Sequence, residues 1–265
     1  MFGMITEVDL KGLLGRTLLR AEEPYAGLQF QLAGRLSAPL PGFRVAVVGT
    51  AEPSGEGLEF AARLVENLVR ERATIVSGLA RGIGAAALRA AIDRGGTAVA
   101  VLKSLIETSR PPEIWELQLK LMREHVVVSQ SPSGSPLTLK ENSPVIMERA
   151  VALLSDVLVV AEAGESESAH VVREAVRLGR KVFVSGLVES QGPSWFRETM
   201  EAYDVEVLNN PDRVDEVLDP DNFIATPELR RFLKAQRLAL QSVRLAPSSP
   251  AKGMWREAKE KEVRV

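Results

Sequence analysis

The chain has 265 residues and no cysteine. That excludes a disulfide framework, a thiolate metal site and a cysteine nucleophile. Two histidines, His125 and His170, leave little material for a histidine-ligated metal or a Ser-His-Asp triad. Aromatic residues make up 5% of the chain, which is sparse for a base-stacking surface. No apolar run reaches about 18 residues, so no membrane-spanning helix is expected. Met1–Leu10 carries Glu7 and Asp9 and lacks a basic start followed by an apolar core, so it does not read as a secretory signal. A cytoplasmic protein is the expectation. An excess of one charge is also missing: 33 Lys and Arg stand against 35 Asp and Glu, a net charge of −2. This excludes a uniformly basic surface but leaves room for a local patch.

What is present is globular. Hydrophobic residues at 45% and charged residues at 26% can build a sizeable core at this length. The charge is unevenly spread: residues 228–265 carry a net +6 and the rest of the chain −8. Within that basic end, residues 227–241 read as a helix, Pro247–Gly253 as a linker and the last residues as a Lys/Glu-rich tail. The predicted division is an N-terminal extension over 1–40, a central domain over 41–210, and a basic C-terminal helix and tail over 211–265. Leu10–Arg20 reads as a short helix within the extension.

Between Phe43 and Leu208 short β-branched runs alternate with helical stretches. The runs are Arg44–Val48, Thr74–Ser77, Ala98–Leu102, Val126–Ser129, Val157–Val160, Val182–Ser185 and Val205–Leu208. Helical stretches fall at 57–71, 83–94, 111–123, 144–154, 167–178 and 194–202. Runs apolar on both faces are strands of a parallel sheet covered by helices. The fold class expected is α/β: a Rossmann-like, doubly wound, mainly parallel sheet of six to seven strands flanked by helices.

Ligands of such sheets sit at the carboxyl ends of the strands, over helix N-termini. Four loops lie there. Gly49 and Thr50 open the first, Gly49–Gly57, whose glycines suit close approach to a phosphate. Its spacing is neither G-x-G-x-x-G nor a Walker loop, Glu52 and Glu56 oppose an anion, and an ordinary strand-to-helix turn is the competing reading. Ser77–Gly84 is the second, with Ser77, Gly78 and Gly82 around Arg81, a guanidinium able to hold a phosphate bidentately. Ser129–Gly134 is the third and Ala161–Ser168 the fourth. In the fourth, Ser166 and Ser168 are phosphate candidates or helix caps, with Glu165 and Glu167 favouring the dipole. Glu162 with Glu165 or Glu167 offers either acid-base chemistry or solvated helix-start charges. His170 faces the ligand groove or is a surface or capping residue. Trp195-Phe196 stacks on a base or anchors a helix. No cofactor or metal is called for by any of these patterns.

Taken in order, these segments resemble the DNA-processing protein A (DprA/Smf) family from about Phe30 to Leu208. Gly49-Thr50-Ala51 with Pro53-Ser54 is similar to the family's "GSR.pS", and Ser77–Gly84 to "SGlArGID". Gly95–Leu102 is similar to "gGkTiaVl" and Ser129–Gly134 to "SE.p.G". Met147–Ser155 lies where the family has "RNRiIagLS", and Ser166–Arg180 fits "SGsl.TA..A…GR" in length. Several family positions are replaced: Ala51 for arginine, Gly84 for aspartate, Gln130 for glutamate, Met147 and Glu148 ahead of the retained Arg149, and Glu167 for glycine. The chain reads as a divergent member. The resemblance implies a homodimer in DNA uptake or recombination, with a recombinase among its partners. Its ligand would be single-stranded DNA or a nucleotide-type phosphate compound, bound without catalysis by Gly49, Thr50, Ser77, Gly78, Arg81, Gly82, Ser129, Arg149, Ser166 and Ser168. A nucleotide-processing enzyme of the phosphoribohydrolase kind and a degenerate scaffold acting through the C-terminal helix are the alternatives. The first of these lacks its Pro-Gly-Gly-x-Gly-Thr loop, since Glu162–Glu167 stands there instead.

Overall fold

The computed structural model describes residues 5–107, 112–130, 144–164 and 168–222. By contact density the chain divides into Met1–Ile224 and Ala225–Val265. The expected basic helix at 227–241 and the tail lie outside the described residues. Among the described residues no helix is long and apolar enough to cross a membrane.

The first unit is built on one nine-stranded sheet. In chain order its strands are β1 (Thr6–Asp9), β2 (Gln29–Gly34), β3 (Arg44–Gly49), β4 (Thr74–Gly78), β5 (Thr97–Leu102), β6 (Val126–Gln130), β7 (Val157–Glu162), β8 (Lys181–Ser185) and β9 (Val205–Leu208). Their order across the sheet is β1-β2-β6-β5-β4-β3-β7-β8-β9. From β6 to β9 every neighbouring pair is parallel. These seven strands are the seven β-branched runs of the sequence. The expected count of six to seven is corrected to nine by two antiparallel strands from residues 1–40, which extend the β6 edge. Their side chains are polar on one face, so they lack the both-sides-apolar signature of buried parallel strands.

Strand residues alternate between two cores. Val45 and Val47 of β3 pack into a layer with α2 (Gly55–Arg70), α3 (Ile83–Asp93) and α4 (Pro112–Glu124). Ala46 and Val48 face the opposite layer, with α1 (Leu10–Leu14), α5 (Pro144–Leu154), α6 (Ala169–Arg177), α7 (Gly186–Gln191) and α8 (Ser194–Ala202). A further short helix, α9 (Val214–Val217), closes the first layer. Helix α2 shows why the pattern works. Ala61, Leu64, Val65 and Leu68 recur at helical spacing and are fully buried, and burying a Leu or Val side chain stabilises by roughly 1.5–3 kcal/mol. Ser54 caps the helix, its Oγ accepting from the Gly57 amide at 3.0 Å.

Strand β3 has β4 on one side and β7 on the other, while the chain winds outward in both directions from it. This is the switch point of a doubly wound sheet, where the crossovers diverge and open a crevice.

Candidate phosphate-binding cleft at the switch point

Three strand ends are locked together at this edge. The Thr50 amide donates to the Glu162 carbonyl at 2.9 Å, and the Ile83 amide donates to the Thr50 carbonyl at 3.1 Å. Gly82 has φ +81°, and a Cβ there would overlap the Thr50 carbonyl. A Cβ on Gly49 would stand 2.5 Å from the Glu162 carbonyl oxygen, and one on Gly78 would stand 2.8 Å from Met147. Gly49 and Gly82 are therefore required by close backbone approach within the protein, whereas Gly78 gives room to the Met147 side chain.

Beside this junction lies a cleft of about 290 Å³. Of the candidate residues, Gly49, Ser77, Gly78, Arg81 and Ser168 line it. Arg81 stands ahead of α3, whose N-terminus follows Gly82 and has no side-chain cap. Lys103, the first residue past β5, lines the same cleft and escaped the sequence reading. Its position one step beyond an apolar strand, on the edge that carries Arg81, is the signal that marks it. Arg81 and Lys103 are both exposed, and neither forms an ion pair among the described residues. Two uncommitted cations on one cleft make a favourable place for an anion.

The other candidates are placed differently. The Ser77 hydroxyl donates to the Val47 carbonyl at 2.6 Å, and that of Ser129 donates to the Ser104 carbonyl at 2.8 Å. Both side chains are thus engaged by backbone, and Ser129 is not among the cleft residues. Thr50 accepts from the Glu52 amide at 3.2 Å. Arg149 turns away from the cleft: its guanidinium lies 5.6 Å from the Tyr25 ring centroid and 3.9 Å from Glu174. It adds no charge to the groove, contrary to the sequence expectation. Ser166 and Glu167 lie outside the described residues. Trp195 is buried and anchors α8, its Nε1 donating to the Gly164 carbonyl at 3.3 Å.

Two carboxylates shape the electrostatics. Glu148 projects from α5 into the cleft wall, and burial pushes its carboxyl up to about 7. His170 Nδ1 is 3.2 Å from Glu148 Oε2. The two are out of line for a hydrogen bond, which leaves buried Nδ1 without one among the described residues. Burial also lowers the His170 pKa. Glu162, offered by the sequence as an acid-base group, is instead buried and held by three donors. Its Oε2 accepts from the Ser54 amide at 2.9 Å and from Ser54 Oγ at 3.1 Å, and its Oε1 accepts from Gln191 Nε2 at 3.0 Å. A larger cavity of about 640 Å³ lies beside α2, but Glu56, Glu59 and Asp212 line it. Its arginine, Arg63, is committed to Asp212 at 2.6 Å, so it is unsuited to an anion.

A model of the family described as DNA recombination-mediator protein A matches residues 32–209, two thirds of the chain. The chain belongs to that family. Among curated relatives, it is 35% identical over 182 residues to Protein Smf of Escherichia coli K12, covering 67% of this chain and 48% of the relative. It is 35% identical over 142 residues to the DNA processing protein DprA of Streptococcus pneumoniae, covering 53% of this chain and 49% of that protein. The chain thus spans about half the length of these curated relatives. The solved DprA structure from S. pneumoniae superposes with a TM-score of 0.65 at 25% identity, over 80% of this chain and 74% of that one. DprA from Helicobacter pylori, described for its single-stranded DNA binding mode, superposes at 0.64 with 18% identity, over 83% of this chain and 98% of that one. Four positions at which this chain departs from the DprA motifs, Ala51, Gly84, Met147 and Glu148, line the cleft. At Gly84, where the DprA motif carries an aspartate, a Cβ would overlap the Gly78 carbonyl.

Proposed function

We propose that the chain binds the phosphate backbone of single-stranded DNA at the switch-point cleft, without catalysis, in DNA processing linked to uptake or recombination. The observation that carries the reading is the pair Arg81 and Lys103, exposed and unpaired among the described residues and lining one cleft at the strand ends. Family membership and the DNA binding described for the H. pylori relative support it. Gly49, Gly78 and Ser168 contribute surface to the same cleft. A homodimer and a recombinase partner complete the reading by resemblance. Glu162 accepts three hydrogen bonds within the protein and does not line the cleft, which weighs against its use as an acid or base.

Anisotropy titrations of a labelled oligothymidylate across salt concentrations test it. For a single strand, the slope of log K against log salt is about −0.7 per phosphate neutralised. Arg81→Ala with Lys103→Ala should make the slope less steep by about 1.4 and weaken binding at low salt. No binding at low salt, or a double variant that behaves as the parent, would refute the proposal.

A further inference from the structure

The two cations explain only part of the cleft. Most of the other side chains lining it are apolar. Val48, Ala51 and Ala80 come from the strand ends and loops after β3 and β4, and Met147, Val151 and Val171 come from α5 and α6. A phosphate gains nothing from such walls, because burying a charge without partners is costly. A nucleobase gains, because both faces of its ring are apolar and only its edge is polar. The void of about 290 Å³ lies at the small end of ligand sites and has room for one base.

One polar side chain of this lining is left free. Met147, Glu148 and Val151 share one face of α5, so Glu148 is set among the apolar groups. Its carboxylate accepts no hydrogen bond among the described residues: His170 Nδ1, 3.2 Å from Oε2, is out of line for one. Glu162, by contrast, accepts three. A largely buried carboxylate without a donor costs free energy that the N–H groups of a ligand can recover.

We propose that the cleft seats one nucleobase of the bound strand and that Glu148 is a specificity residue that reads the base's edge, favouring guanine. The proposal rests on the DNA-binding reading and deepens it. Guanine presents two adjacent donors, N1–H and the N2 amino group, which match the two oxygens of a carboxylate. Thymine presents a single N3–H between two carbonyl oxygens, which a carboxylate repels. Arg81 and Lys103 hold phosphates of the same strand and carry no base preference. Glu148 is one of the positions at which this chain departs from the DprA motifs, so the preference is a property of this chain.

Anisotropy is measured at pH 8, above the value of about 7 to which burial raises the Glu148 carboxyl, on the full chain and its Glu148→Gln variant. The probes are a short oligothymidylate, the same strand with one central guanine, and the same strand with hypoxanthine there, which lacks the N2 amino group. The full chain should bind the guanine strand at least about fivefold more tightly than either of the others. In Glu148→Gln the amide donates to O6 and accepts from N1–H of either purine, so the guanine and hypoxanthine strands should bind within about twofold of each other. Equal affinity of the full chain for these two strands overturns the proposal, and so does a variant that keeps the parent's preference. In both cases the DNA-binding reading stands. No binding of any strand at low salt refutes that reading and this proposal together. If circular dichroism shows that Glu148→Gln does not fold, the guanine-against-hypoxanthine comparison on the full chain decides.

Discussion

Replacing Glu148 with glutamine isolates the charge that burial has placed in the wall of the cleft. The side chain is 24% exposed and its carboxyl is pushed up to about 7 from 4.5 by burial. The groups facing it are His170 on α6 and, across the cleft, Arg81 and Lys103. His170 has its pKa lowered from 6.5, chiefly by burial, so it is neutral above that pH and supplies no compensating charge. A carboxyl whose folded pKa is raised takes up protons on folding. Its stabilising protonation is fully present below pH 4.5 and is lost as pH rises through about 7. The full difference of pKa, at about 1.4 kcal/mol per unit, sets a ceiling of about 3.4 kcal/mol. Water reaching a quarter-exposed side chain screens this, and about 1–2 kcal/mol is the reasonable expectation. Glutamine lacks the titration. Urea unfolding at pH 5, 6, 7 and 8.5 should therefore give near-equal stabilities at pH 5, with the variant about 1–2 kcal/mol more stable at pH 8.5. The same charge enters the cleft as it ionises, so oligonucleotide affinity of the parent should fall between pH 6 and 8 more than that of the variant. A stability difference that is constant across pH would refute the argument, because it would come from packing and not from ionisation.

Two other substitutions probe the frame of the fold. Glu22 is 0% exposed and bonds Arg16 through both carboxylate oxygens at 2.7 Å, as well as buried Arg180. Burial opposes its charge, but the two arginines outweigh this and hold the carboxyl at about 2. Glu22→Gln leaves Arg180 buried without its counter-ion and should cost about 3–5 kcal/mol in urea unfolding at pH 7. Because the folded pKa is depressed, the contribution is present above pH 4.5 and is lost as pH falls through about 2, so the gap to the parent should narrow in acid. Gly82→Ala meets both a positive φ of 81° and the Thr50 carbonyl. It should lower stability by at least about 2 kcal/mol and weaken oligonucleotide binding as the two loops part; an unchanged melting temperature would refute the packing account.

The seven parallel strands were legible because burial on both faces leaves no choice of residue type: Val157–Glu162 is buried at every position. Strands β1 and β2 were not, because an antiparallel edge tolerates Glu7, Asp9 and Gln31 on one face and so blurs into loop. In the cleft, Arg81 was legible from its setting among small residues at a strand end. Lys103 was hidden, since a single lysine after a strand carries no pattern until the strand's neighbours are known. Arg149 shows the opposite failure. It is adjacent in sequence to Glu148, but one residue along a helix turns the side chain by about 100°, which carries it from the cleft wall to Tyr25 and Glu174. The glycines mark close approach, and part of that approach is internal to the protein. Their missing Cβ atoms serve Thr50, Glu162 and Met147 before they can serve a phosphate. Motif spacing reports that a backbone approaches something closely, and only the fold says whether that partner is a ligand or another strand. For this chain the distinction rests the proposed anion site on the side chains of Arg81 and Lys103 rather than on the loop glycines.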